Sequence, residues 1–204
     1  MRRVPTFMTQ PDLSGPELLI RLQRRDPELL GSLVGEHSRP LYRAARGMGF
    51  REEEAEDMVQ DVFVTFLSSL DRFEGRSQLR TWLFGILHNK TMERRRKRGQ
   101  EEHHDPIDEV FESKFDSKGK WVAPPQDLLR LMESKQLGEA ITHCLDGLPP
   151  TQRSVFVLRE MEGVETEEVC KILKVTVTNM GVLMHRARNR LRECLEGRGW
   201  RRTE

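Results

Sequence analysis

Aromatic side chains are scarce in this sequence: nine Phe, three Trp and one Tyr make up 6% of 204 residues. Any core must therefore be built mainly from Leu, Val, Ile and Met. Cysteine is rarer still. Cys144, Cys170 and Cys194 are odd in number, widely spaced and free of any CxxC pair. That pattern argues against a disulfide framework and against a cysteine-rich zinc site. Each cysteine sits in an apolar helical pattern and is expected to pack as a small hydrophobe. No run approaches the roughly 18 apolar residues that span a bilayer, so direct membrane insertion is not expected. The N-terminal MRRVPTFMTQPD carries charge but no apolar stretch of the secretory kind. The expected location is the cytoplasm.

Net charge of one sign is also missing. Thirty-four Lys and Arg balance 33 Asp and Glu, for a formal charge of +1. This balance gives no overall pull toward nucleic acid, but the charge is unevenly placed. Residues 51–61 (REEEAEDMVQD) are acidic, whereas 94–98 (RRRKR) and 186–192 (RARNRLR) are basic. Separate charged surfaces with separate partners follow from such asymmetry. Charged residues are a third of the chain, as suits a soluble, helix-rich protein.

Punctuation divides the chain. Pro11, Gly15 and Pro16 mark a flexible entry over 1–16. A helical block is expected over 17–98, an irregular linker over 99–133 and a second helical block over 134–200. Within the first, Ala55, Met58, Val59, Val62, Phe66 and Leu70 recur at helical spacing, so 52–70 is an amphipathic helix. Its other face carries Glu53, Glu56, Asp57, Gln60 and Asp61. That face is either solvated or a partner surface. Residues 71–79 read as a short loop with Ser77 as candidate N-cap. The linker holds Pro106, Pro124 and Pro125 and more acids than bases, with a short helix possible at 126–133. Phe115 and Trp121 within it are expected to dock on something. Four helices are drawn in the second block, at 134–146, 151–161, 165–173 and 177–197. Pro149 and Pro150 stand where a helix start tolerates proline, and Thr176 is a natural N-cap. The last two helices, joined by a three-residue turn, carry the helix-turn-helix signature.

Two segments carry candidate chemistry. The stretch 81–98, TWLFGILHNKTMERRRKR, begins apolar and ends in five consecutive cations. A solvated helix end, a membrane-surface helix and a nucleic-acid contact all compete. Clustering of the cations at one end, instead of along an apolar face, argues against the membrane. On a helical wheel Leu79, Leu83, Ile86 and Leu87 form the buried face. Thr81, Gly85, His88, Asn89, Met92 and Arg96 lie opposite, with Trp82 at the margin. In 177–197, Met180, Leu183, Met184, Ala187, Leu191 and Cys194 share one face. Thr178, Asn179, Val182, His185, Arg186 and Asn189 share the other, with Arg188 and Arg190 beside it. Short hydrogen-bonding side chains early and arginines later suit a recognition helix. A capped surface helix with a basic tail is the simpler alternative.

Taken together, residues 55–98 and 148–195 resemble regions 2 and 4 of bacterial sigma factors. The words AEDMVQDVF, TWLFGILHN and HRARNRLR occur in that order, with no domain between. The short length resembles the extracytoplasmic-function class of the sigma-70 family. The resemblance implies an all-α protein, with a region 2-like bundle and a region 4-like helix-turn-helix joined by the acidic linker. It implies a promoter-specificity subunit and not an enzyme, with no cofactor and no metal. Its partners would be core RNA polymerase, through clamp and flap, promoter DNA and an anti-sigma factor.

By this resemblance Glu56, Asp57, Gln60, Asp61 and Phe63 would contact the polymerase clamp. The loop with Arg76 and Ser77 would sit at the pocket for a flipped −10 base. Trp82, His88, Asn89, Lys90, Arg94, Arg95, Arg96 and Arg98 would bind the −10 element, bases through Asn89 and backbone through the cations. Helix 177–197 would enter the −35 major groove through Thr176, Thr178, Asn179, Val182, His185, Arg186, Arg188 and Arg190. Arg153 and Arg159 would add phosphate contacts. The acidic linker would thread toward the RNA exit path. The chain departs from the family pattern at Gly181 and Leu183, where basic residues are common, and at Lys174, where glycine is frequent. No −35 sequence preference carries over.

Two other readings compete. A helix-turn-helix regulator using only 134–200 would bind duplex DNA without polymerase, but it leaves 51–98 unexplained. A metal-dependent hydrolase or sensor built on His103, His104, Asp105 and His143–Cys144 lacks both HExxH and ligand-spaced cysteines.

Overall fold

The computed structural model describes residues 16–75, 77–99 and 135–199. Among these residues there are helices and no strands. Four helices form the first half: α1 (Pro16–Gln23), α2 (Pro27–Gly47), α3 (Glu52–Ser68) and α4 (Leu79–Lys97). Four form the second: α5 (Lys135–Asp146), α6 (Pro150–Phe156), α7 (Thr166–Leu173) and α8 (Val177–Gly197).

The amphipathic helix expected at 52–70 is α3. Glu54 accepts the Arg51 backbone N–H (3.0 Å), and three glutamates in the first turn face the positive end of the helix dipole. The helix stops at Ser68, two residues early. The Ser69 hydroxyl donates to the Thr65 and Phe66 carbonyls, and Leu70–Arg72 tighten into a 3-10 turn. Leu70 stays buried from that turn. The next start is corrected by one residue: Gln78, not Ser77, occupies the N-cap of α4, without a side-chain cap bond.

In the second half Pro150 opens α6, which widens into a π-helical turn at Val157–Met161. Thr176 caps α8, its hydroxyl accepting the Asn179 N–H at 3.2 Å. Lys174, between α7 and α8, is left-handed at φ 57°, where glycine would be strain-free.

The buried apolar residues of both halves, from Leu18 to Leu195, form one continuous cluster. α4 packs against α2 and α3 in its own half and against α7 of the other. Trp82 stacks on Phe73 (4.7 Å between ring centroids) and meets Phe66 edge-on (5.6 Å). Such ring pairs add about 0.5–1.5 kcal/mol each beyond their buried area.

One expectation about the core is overturned. Cys144 of α5 and Cys194 of α8 form a disulfide, and only Cys170 is a free thiol. The two lie 50 residues apart in sequence, and α5–α8 packing brings their helix faces together. Burial raises the Cys170 thiol, with Glu167 adding to the effect. The linker residues, including Phe115, Trp121, His103, His104 and the 126–133 helix, lie outside the described residues, as does Arg76.

Candidate functional site

The polymerase-facing candidates separate by exposure. Glu56, Asp57 and Gln60 are exposed on α3. Asp61 is exposed too, but accepts from Arg94 at 3.2 Å. Phe63 is buried, and its ring lines an apolar groove of about 260 Å3 with Leu30, Leu33, Val34, Phe66 and Leu67. Val64, next to Phe63 in sequence, is 66% exposed. The outer face of α3 is thus an acidic stripe bordering an apolar slot.

The run Arg94–Arg98 has divided duties. Arg94 donates to the Glu54 carbonyl (3.3 Å) as well as to Asp61. Arg95 donates to the Met48 carbonyl at 2.6 Å. Lys97 pairs with Glu93 one turn back (2.8 Å). Arg98 pairs with Glu54 and lies over the Phe50 ring at 5.4 Å. Glu54 is held below the ordinary glutamate range, chiefly by the Arg51 backbone N–H and then by Arg98. Cations in the last turn also suit the negative end of the dipole. Arg94 and Arg98 therefore fasten α4 to α3, and Arg95 ties it to the end of α2.

Arg96 is exposed and faces a cleft. With Asn89 and Lys90 it rims this cleft of about 390 Å3 between α3 and α4. Ile86 and Met92 supply apolar lining, and Thr65 and Glu93 complete it. An apolar wall with an amide and two cations at the rim matches what a nucleotide presents: a flat base and a phosphate.

Thr81 and His88, expected on an open face, are buried at 5% and 9% exposure. α4 is enclosed by α2, α3 and α7, so residues on both of its sides lose solvent. Trp82 is half-buried in the ring cluster described above. Ser77 is half-buried at the start of α4.

In the second half, Thr176 and Thr178 are exposed and Asn179 half-buried at the start of α8. Val182 and His185 are buried (2% and 5%), contrary to the wheel. α5, α6 and α7 all pack on α8, which leaves it a narrow open surface. Asn189 lies 3.2 Å from the His185 ring. Arg186 is half-buried, Arg188 pairs with Glu160, and Arg190 donates to Gln152 at 3.3 Å. Arg159 donates to the Val164 carbonyl at 3.2 Å. Arg153 is no phosphate ligand in this arrangement. It is 5% exposed, donates to Asp146 at 2.8 Å, and gives its Nε–H to the Gly47 carbonyl of the first half. Burial lowers its pKa against the pull of Asp146.

A latch joins the halves through residues too distant in sequence for periodicity or motif to pair. The Glu162 side chain is fully buried. Arg43 grips it with Nε (3.1 Å) and Nη2 (2.9 Å), and Arg80 approaches it at 3.8 Å while donating to its main-chain carbonyl. Gly47 completes the contact. A Cβ there would stand 2.9 Å from Val157 Cγ2, closer than packed carbons tolerate. Glu162 inside the apolar word VFVLREMEGV was a visible signal for a paired carboxylate.

Two family models match this chain in order: Sigma-70 region 2 at residues 33–101 and Sigma-70 region 4 at 138–191. A Haemophilus influenzae protein named "Probable RNA polymerase sigma factor" is 32% identical over 69% of this chain and 76% of its own length. The chain belongs to the sigma-70 family. The extracytoplasmic-function RNA polymerase sigma-E factor of Escherichia coli K12 is 29% identical, over 65% of this chain and 69% of that protein. The sigma factor RpoE of Bartonella quintana, solved in complex with the anti-sigma factor NepR, superposes with a TM-score of 0.60 at 29% identity. That match covers 85% of this chain and 98% of RpoE. The protein is an alternative sigma factor of the extracytoplasmic-function class, directing transcription initiation. Its two matched regions coincide with the two halves that the latch joins.

Proposed function

We propose that residues 17–98 dock on the polymerase clamp and the −10 element, and that 134–200 dock on the flap and the −35 element. The cleft rimmed by Asn89, Lys90 and Arg96 carries this reading. It is accessible, cationic and apolar-walled, as a melted −10 strand requires. Glu56, Asp57 and Gln60 supply the acidic clamp contact, with the Phe63 groove beside it. Thr178 and Asn179 at the capped start of α8 supply the base-reading residues.

The arrangement described is a closed one, with α7 seated on α4. Engagement of polymerase parts the halves by releasing Glu162 from Arg43 and Arg80. An anti-sigma factor would act on the same faces; the RpoE–NepR complex motivates this partner. The protein acts in the cytoplasm and has no catalytic role of its own. No described helix is long and apolar enough to cross a membrane.

Run-off transcription with core polymerase and a promoter library tests this reading. Specific transcripts from a subset of promoters are expected. Stimulation of none by folded, inhibitor-free protein would overturn it. So would a 134–200 fragment with full promoter affinity and no need of polymerase.

A further inference from the structure

We infer that Cys144 and Cys194 are a reversible thiol–disulfide site whose oxidised form holds the protein closed. The inference rests on the reading that the chain works beside RNA polymerase in a reducing compartment. There, disulfides are transient and serve redox sensing more often than architecture.

Accessibility separates the two sulfurs. Cys144 is buried at 3% exposure, whereas Cys194 is partly open on α8. Cys194 is therefore the atom that solvent-borne reagents meet first. Hydrogen peroxide oxidises the Cys194 thiol to a sulfenic acid, breaking the O–O bond and releasing one water. The Cys144 thiol then displaces the second water as the S–S bond forms. Two thiols lose two electrons and two protons, and one hydrogen peroxide becomes two waters. Reduction runs by exchange. A glutathione-class thiolate attacks Cys194 Sγ, and the bonding pair leaves on Cys144 Sγ, which takes a proton. A second thiolate resolves the mixed disulfide and leaves Cys194 reduced.

The site connects to closure through packed neighbours. Cys144 lies in the last turn of α5, and Asp146 ends that helix. Asp146 accepts from buried Arg153 at 2.8 Å. Arg153 in turn donates to the Gly47 carbonyl of the first half and closely fills the space beside Gly49. The disulfide ties the end of α5 to α8 and so fixes Asp146. Fixed Asp146 keeps Arg153 aimed at Gly47. Reduction frees α5 to shift, loosens Arg153 and favours the open form. Cys170, on α7, takes no part.

The test uses the full chain. Equilibration in glutathione buffers of graded ratio, followed by alkylation and mass measurement, should show Cys144 and Cys194 passing together from thiols to disulfide while Cys170 stays alkylatable. A pair that never oxidises, or never reduces while the protein stays folded, overturns the inference. Small-angle scattering should give a larger radius of gyration for the reduced protein, and Cys194→Ser should match the reduced value under both conditions. The unsubstituted reduced protein supplies the same comparison if Cys194→Ser misfolds. Reduced protein should also support run-off transcription about three- to tenfold better than oxidised, within the range that contiguous packed networks transmit. Equal radii in the two states defeat the inference whatever the transcription result. Failure of the reduced protein at every promoter counts against the sigma reading instead, and leaves the titration and scattering to decide on the switch.

Discussion

Arg43 and Glu162 are 119 residues apart in sequence, yet the arginine holds the carboxylate through two hydrogen bonds of 2.9 and 3.1 Å. The acid is buried and the base half exposed. Breaking such a pair leaves a charge without solvent or partner. Glu162→Gln keeps the shape and removes the charge. Closure should weaken by about 1–3 kcal/mol, the full buried-pair value being reduced because both arginines see solvent. Scattering should show expansion, and affinity for core polymerase should rise. An unchanged radius would mean the halves are held by apolar packing alone.

Arg95 and Arg96 are adjacent and should behave differently. Arg96 lines the cleft and is exposed, whereas Arg95 is spent on the Met48 carbonyl. Arg96→Ala should leave thermal stability within about 0.5 kcal/mol, as usual for surface changes. It should weaken open-complex formation and lower the salt slope by about 1. Arg95→Ala should destabilise by about 1–2 kcal/mol through the abandoned carbonyl. Salt-dependent promoter binding and thermal denaturation of each variant decide this. Equal salt slopes for the two would refute the division.

Lys174 is strained and exposed at the turn of the helix-turn-helix. Lys174→Gly should stabilise the protein by about 0.5–1 kcal/mol, relief of the left-handed strain outweighing the entropy of glycine. Denaturant melts should show a higher midpoint with an unchanged slope. A lower midpoint would show that the lysine makes a compensating contact.

His37 on α2 is buried, and burial holds its pKa below the ordinary histidine value. Arg80 pushes the same way and Glu36 opposes. Above about pH 6.5 the ring is neutral folded and unfolded. As pH falls through that value, the unfolded chain takes up a proton that the folded chain resists. Stability is therefore full above the ordinary pKa and declines as pH falls toward the lowered one, by up to about 1.4 kcal/mol per pH unit. Melting temperature should drop between pH 7.5 and pH 5.5, and His37→Gln should flatten that drop. An equal drop in the variant would assign it to other groups.

Local patterns were legible in the sequence because they depend on nearby residues. The apolar stripe of α3, the Thr176 cap and the helix-turn-helix spacing all follow from short-range rules, and the structure keeps them. What depended on distant partners was not legible. Cys144 and Cys194 each fit an apolar helix position, and nothing at either site announces the other. Thr81 and His88 fall on the polar side of a wheel that knows nothing of α7. Val182 and His185 fall on the groove side of a wheel that assumes one buried side, and α8 is packed on several. The RRRKR run looked like one surface. A helix turns about 100° per residue, so neighbours in sequence reach different partners.

The latch between Glu162 and Arg43 joins two parts of one covalent chain, so closure is a first-order event. Dilution does not open it. Tethered segments of this kind face one another at an effective concentration on the order of millimolar. Promoter DNA at far lower concentration, binding one half alone, competes poorly with that tether. A partner that grips both halves at once meets the tether on equal terms, because its second contact is intramolecular too. The architecture thus favours response to a bidentate partner over response to free DNA.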